Sequence, residues 1–208
     1  VIAAALALFL NACGESSSNS GEDEAAFPVK VVSAEFPAKQ RLGETTLLRL
    51  GVRNTGHKTV PALTVTILVG GKEGENAALP FGYRDAQPGL AQPDRPVWVL
   101  SAHYPKANGS TESAGAETSS RKTFDFGPLK PNATTDAVWK VNAVKTGNFK
   151  VFYEIGADLG GKATAETAAG TDAGGSFAVQ ITEVPPETVV TDSGEVVPAP
   201  KDPTEANR

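Results

Sequence analysis

From residue 27 onward the apolar positions recur at every second residue, the period of a half-buried strand rather than of a helix. Val29 to Phe36 reads as a first strand, with a bulge where the two valine phases meet, and Pro37 ends it. Leu48, Leu50 and Val52 alternate with Arg49, Gly51 and Arg53, and Asn54-Thr55-Gly56 turns the chain. Leu63, Val65, Ile67 and Val69 form the next buried face, with Thr64 and Thr66 opposite. Val97–Ala102 and Thr123–Phe126 are two further strands, and Gly127–Asn132 is a turn. Trp139, Val141 and Ala143 alternate with Lys140 and Asn142, and Thr146-Gly147-Asn148 is a tight turn. Phe149, Val151, Tyr153 and Ile155 follow, with Lys150 and Glu154 facing out, and Phe177, Val179 and Ile181 close the series.

Between these strands lie a long Gly/Pro-rich connection over 70–96, a polar loop over 105–119 and a mobile Ala/Gly-rich loop over 157–175. Only 162–169 has the composition for a helical turn or two. The pattern predicts an all-β protein, an Ig-like antiparallel β-sandwich of about seven to eight strands. The sandwich is expected over 27–182. An acidic, Ser-rich spacer over 14–26 should precede it, and a disordered Pro-rich acidic tail over 183–208 should follow.

Ten consecutive apolar residues open the chain, the length of a signal-peptide core and too short to cross a bilayer. Leu10-Asn11-Ala12-Cys13-Gly14 then resembles the bacterial lipobox, with Asn11 where a small residue is usual. The resemblance implies cleavage before Cys13 and a lipid on its thiol, so that 1–13 is a partial signal peptide. The chain has one cysteine, so no internal disulfide, and no methionine, which points to a missing start. Competing readings are an ordinary secretory signal with a chance cysteine, or a buried strand with an inert thiol. The spacer that follows spans about 20 Å as a coil.

Charge is segregated. The net charge is −5, yet 27–182 carries +3, and the spacer and tail carry −4 each. No Lys/Arg run marks a nucleic-acid partner.

Two segments resemble bacterial Ig-like modules of the CARDB (cell-adhesion-related) type. Val52-Arg53-Asn54-Thr55-Gly56 with Val60-Pro61-Ala62-Leu63-Thr64-Val65 matches their first hairpin. Leu129-Lys130-Pro131-Asn132-Ala133-Thr134, Trp139 and Thr146-Gly147-Asn148-Phe149-Lys150-Val151 match their closing hairpin. Asn132 replaces the usual Gly, and Phe149 the usual Tyr, which excludes a tyrosine corner there. The resemblance implies a sandwich fold and leaves function open.

Candidate chemistry is sparse. Gly156 to Ala163 has P-loop spacing with Lys162 in the phosphate position, but Ala163 replaces the Mg²⁺-binding hydroxyl and no helix is expected to follow, so a Gly-rich loop is the reading. Asp125-Phe126-Gly127 spells a kinase triplet without the rest of a kinase. His57 and His103 read as surface or loop residues, and no nucleophile elbow accompanies them. Asp85, Asp94, Asp125, Asp136 and Glu154 are acids with no distinctive local setting. Asn108-Gly109-Ser110 and Asn132-Ala133-Thr134 match glycosylation acceptors, which says little in a bacterial chain. Phe81, Tyr83, Trp98 and Tyr104, with Arg84 and Asp85, form either an aromatic shelf for a sugar or protein partner, or core filling and an edge cap.

The expectation is a non-enzymatic lipoprotein, anchored through Cys13 on the extracytoplasmic side of a cell membrane. It needs no cofactor or metal, and its partner is an envelope protein or cell-wall glycan. The alternatives are a structural accessory lipoprotein without a specific ligand, or an extracytoplasmic carbohydrate-binding or hydrolytic domain.

Overall fold

The computed structural model describes residues 25–70, 80–83, 96–108, 116–117, 122–160, 162–183, 188–190, 194 and 196–198. In chain order the strands are β1 (Ala25–Glu35), β2 (Lys39–Arg41), β3 (Thr45–Asn54), β4 (Thr64–Val69), β5 (Phe81–Tyr83), β6 (Trp98–Leu100), β7 (Lys106–Ala107) and β8 (Ala116–Glu117). They continue with β9 (Thr123–Asp125), β10 (Thr134–Ala143), β11 (Gly147–Gly156), β12 (Ala163–Glu166), β13 (Gly174–Thr182), β14 (Thr188–Val190) and β15 (Val196–Pro198). No helix occurs among the described residues.

Two sheets form the body. The first has the order β12-β1-β3-β10-β6-β5, with β7 also on β10, and the second β2-β13-β11-β4-β9-β8. The chain crosses from the first sheet to the second after β3 and again after β10, which gives the Ig-like sandwich its interleaved connectivity. The central pairs are antiparallel, and the parallel pairings, β1–β12, β5–β6 and β2–β13, all lie at sheet edges.

The core follows from alternation. Leu48, Leu50 and Val52 of β3 face inward beside Ala137, Trp139 and Val141 of β10, all fully buried. From the second sheet come Val65, Ile67, Phe124, Val151, Val179 and Ile181. Trp139 meets the rings of Phe124 and Phe126 edge-on at 5.7 and 5.4 Å. Trp98 lies against Phe36 and Phe149, at 5.4 and 5.7 Å. Its indole N–H donates to Gln40 Oε1 at 2.8 Å, and Gln40 Nε2 donates to the Pro37 carbonyl at 2.9 Å. Gln40 belongs to the second sheet and Trp98 to the first, so this buried pair is a polar bridge between layers.

The expected bulge is present. The β1–β3 register steps from Val31↔Val52 to Ser33↔Gly51, so Val32 is the extra residue, and it stands 47% exposed. Other expectations are corrected. The segment read as loop or helical turn holds β12, which runs parallel to Ala25–Pro28. Ala163 and Ala165 face inward and Thr164 outward, a period-2 pattern hidden because its apolar side chains are only methyls. The 70–96 connection holds β5, and the 105–119 loop holds β7 and β8. These short strands raise the strand number above eight without changing the architecture. Thr64 is buried rather than outward in water, because the 157–160 loop covers it, its hydroxyl donating to the Asp158 carbonyl at 3.3 Å. In the stretch read as a disordered tail, β14 and β15 pair antiparallel, with Gly194 at φ +81 between them.

The register also fixes the two ends of the sandwich. Val29 of β1 pairs with Asn54, so the chain enters at the end where β3 finishes. Gly147 pairs with Ile181, and the Leu42 N–H donates to the Thr182 carbonyl, so β13 leaves at the opposite end.

The bridge predicts a difference between the two tryptophans. Trp139 Nε1 has no hydrogen-bond partner among the described residues, whereas Trp98 Nε1 does. Trp98→Phe should therefore cost about 1–2 kcal/mol more than Trp139→Phe, since it strands the buried Gln40 carbonyl. Urea unfolding of the two variants measures this. Burial also raises the Tyr153 pKa above its ordinary value by disfavouring the phenolate. The folded state then holds its proton more tightly than the unfolded chain, so the sandwich should lose stability as pH rises above about 10. Tyr153→Phe should flatten that alkaline loss in pH-dependent melting curves.

Candidate functional site

The entry end of the sandwich is organised by Asn54, a fully buried polar side chain at the last position of β3. Its Nδ2 donates to the Lys58 carbonyl at 2.8 Å and to the Leu129 carbonyl at 2.9 Å, and its Oδ1 accepts from the Gly56 N–H at 2.9 Å. Its backbone N–H donates to the Ala133 carbonyl and its carbonyl accepts from Asn132, both at 3.0 Å. Every donor of the residue is used and each of its two oxygens accepts a bond, so the burial is compensated. The Asn-x-Gly motif is therefore a cross-link between two turns, 54–60 and 127–133, that belong to different parts of the chain. Asn132 has φ 60, a left-handed conformation that Asn tolerates, which explains its standing where Gly is usual. In the closing hairpin Gly147 has φ 143, and the Phe149 ring packs within 3.1 Å of where its Cβ would lie.

The P-loop-like stretch lies at the same end. Asp158 is buried, and its Oδ2 accepts from the backbone N–H groups of Lys162 and Ala163, at 2.9 and 2.8 Å. The loop's own carboxylate thus takes amides of the kind that would cradle a phosphate. Lys162 is exposed and Leu159, at the loop's crest, is 53% exposed.

Two of the four aromatics nominated for a shelf belong to the core. Trp98 is wholly buried and Phe81 is 3% exposed, so both fill the core. Phe81 instead approaches Phe124 at 6.2 Å. Tyr104 is half-buried against the core, with Lys106 Nζ 5.2 Å from its ring centre. Tyr83 is described through its backbone alone, paired with Leu100 in β5–β6. Arg84, Asp85, Asp94 and Cys13 lie outside the described residues.

The remaining candidates are dispersed. His57 is exposed in the turn beside Gly56, and His103 is exposed in a turn with φ 63. Asp125 Oδ1 accepts from the Gly127 N–H at 2.8 Å, closing a small turn that spells the kinase triplet. Asp136 sits on the outer face of the first sheet, while Asp125 and Glu154 lie on that of the second with β4 between them. Two strand spacings, about 10 Å, thus separate the backbones of β9 and β11. No group of three His, Cys, Asp or Glu that would hold a metal occurs among the described residues. Sequence reasoning missed Gln40 and Asp158, two buried polar residues whose partners are distant in the chain. The Asp-x-x-x-Lys-Ala spacing carried a signal for Asp158; nothing local marked Gln40.

The fold is an Ig-like β-sandwich. No family model and no curated protein sequence matches the chain. Among solved structures it is similar to the CARDB domain of the PF1109 protein from Pyrococcus furiosus, solved in complex with di-metal ions. That likeness has 10% identity and a TM-score of 0.42, covering 76% of this chain and 94% of that one. It is also similar to Salmonella alpha-2-macroglobulin reacted with methylamine, at 16% identity and TM-score 0.40, over 78% of this chain and 7% of that protein. A third is AvmM, which catalyses macrocyclization in alchivemycin A biosynthesis, at 12% identity and TM-score 0.41, over 77% of this chain and 91% of that one.

Asn54→Ala should leave the Lys58 carbonyl and the Gly56 N–H without their partner and take one of two hydrogen bonds from the Leu129 carbonyl, which keeps the Val60 N–H, at a cost of about 2–3 kcal/mol and with a lower urea midpoint. His57→Ala, exposed in the same turn, should change stability by less than about 0.5 kcal/mol.

Proposed function

We propose that the chain is an extracytoplasmic lipoprotein, anchored in a cell membrane through a lipid on Cys13, that displays its Ig-like sandwich as a non-catalytic interaction module. The observation that carries this reading is the order of features along the chain. An apolar run leads to Leu10-Asn11-Ala12-Cys13, then to an acidic Ser-rich spacer, and β1 begins at Ala25. A short soluble spacer between a modifiable thiol and a rigid sandwich is what a tethered module requires.

Several described residues that sequence nominated for chemistry have structural work instead, which supports the non-catalytic part of the reading. Asp125 closes a turn and Trp98 bridges the sheets, while in the P-loop-like stretch the Lys162 N–H is taken by the Asp158 carboxylate. The envelope partner, protein or glycan, would meet the surface of the sandwich. A second reading, an accessory lipoprotein without a specific ligand, gains from the burial of Phe81 and Trp98, which takes two of the four aromatics away from the stacking platform a glycan ligand would use.

Metabolic labelling with a fatty-acid analogue tests the anchor. The chain expressed with a complete signal peptide should take up label and partition with membranes, and Cys13→Ala should lose both. Equal labelling of the two would overturn the anchoring claim.

A further inference from the structure

A strand at a sheet edge offers unpaired backbone groups to any other chain, and most edges of this sandwich are blunted. β2, β5, β8 and β12 are only two to four residues long. β1 is long, but β12 covers its first four residues, and beyond them it carries Lys30, the Val32 bulge and Glu35. β13 has none of these devices. It runs nine residues, and β2 covers only 180–182 of its outer side. Among the described residues no strand pairs with 174–179 there. The stretch Gly174-Gly175-Ser176-Phe177-Ala178 holds no charge and no proline, and its register with β11 is unbroken. Phe177 packs against Phe36 and Tyr153, at 5.9 and 5.4 Å, yet stays only half-buried on this open flank.

The backbone phase of that edge is fixed. The Gln180 N–H donates to the Ala38 carbonyl and the Thr182 carbonyl accepts from the Leu42 N–H, both at 2.8 Å and both away from β11. Backbone groups alternate sides along a strand, so Gly174, Ser176 and Ala178 present theirs to the open side. All three are exposed. We propose that the occupant of this edge is a second copy of the chain, paired antiparallel through 174–178 about a twofold axis at Ser176. Ser176 then faces Ser176 and each Gly174 faces an Ala178, with two backbone hydrogen bonds at each of these pairs. Three features of the strand fit its own reversed copy. The outward-facing groups lie symmetrically about Ser176. On the inner face each Phe177 comes opposite Gly175 of the second copy, where no side chain competes for the space. On the outer face Lys150 pairs with Ala178 and Glu154 with Gly174. Lys150 of each copy therefore shares a row with Glu154 of the other, three strand spacings or about 14 Å away, with only Ala178 and Gly174 between them. Opposite charges thus face each other in both outer rows. The association needs no lipid, so it stands apart from the anchoring reading.

Sedimentation equilibrium of the Cys13→Ala chain, which has no thiol to cross-link two copies, tests the proposal. That chain should show a concentration-dependent monomer–dimer equilibrium. Ser176→Pro removes the central N–H from both copies and leaves the β11 side of the strand intact, so it should raise the dissociation constant roughly 30-fold. Ser176→Lys and Ser176→Asp each set like charges opposite one another and should weaken the dimer by up to about five-fold. An equimolar mixture of the Lys and Asp variants should associate at least as tightly as the parent chain, because opposite charges then meet across the axis. Ser176 is exposed, and circular dichroism checks that each variant is folded. If Ser176→Pro unfolds the strand, the Lys and Asp variants decide the matter alone. A parent chain that stays monomeric at its highest soluble concentration would overturn the proposal. So would association that the Ser176 variants leave unchanged, or a mixture that associates no better than its components.

Discussion

The sandwich depends on what Asn54 does at the end of β3. A strand that finishes inside a protein must find partners for its last polar groups and direct the chain onward. One amide side chain satisfies the turn that leads to β4 and the turn that leads to β10, two segments far apart in sequence. The crossing from the first sheet to the second is thereby tied to the start of the strand lying beside β3. If the side chain were shorter or lacked a donor, the two turns would keep their backbone bridge between Val60 and Leu129 but lose the side-chain link that reinforces it, and this end of the sandwich would loosen.

The opposite side of the core is closed by a different device, the Trp98–Gln40 bridge. Its partners come from strands of only three residues each, too short to be held by their ladders alone. Burying an indole N–H without a partner is costly, and so is burying an amide. Paired, they fix β2 and β6 in position while the aromatic rings around Trp98 fill the space between the layers. Of the two roles the sequence left open for Trp98, ligand shelf or core, it takes the second.

How much of this was legible in the sequence depended on side-chain size and on separation along the chain. β3, β10 and β11 alternate large apolar and polar residues, and their faces follow directly from that pattern. The bulge at Val32 was marked by the shift in valine phase. β12 was hidden because Ala163 and Ala165 carry too little hydrophobic weight to distinguish a strand from a loop. Gln40 was hidden because a lone glutamine among charged neighbours looks exposed until Trp98, remote in sequence, is known to face it. At the candidate site, the Asn-x-Gly spacing was visible as a turn, but its second role, holding the 127–133 turn, needed the tertiary contact.

The functional picture joins these parts. In the proposed setting the tether reaches the sandwich at the end organised by a buried asparagine, through an acidic spacer, and an acidic tail leaves from the other end. The account's central claim is that the Asn54 amide couples the turns at 54–60 and 127–133. Amide hydrogen exchange of the native chain and of Asn54→Ala tests it most directly. Faster exchange in Asn54→Ala at both turns, with the turns at 42–44 and 144–146 unchanged, is the predicted result. Faster exchange in the 54–60 turn alone, or in neither turn, would contradict it.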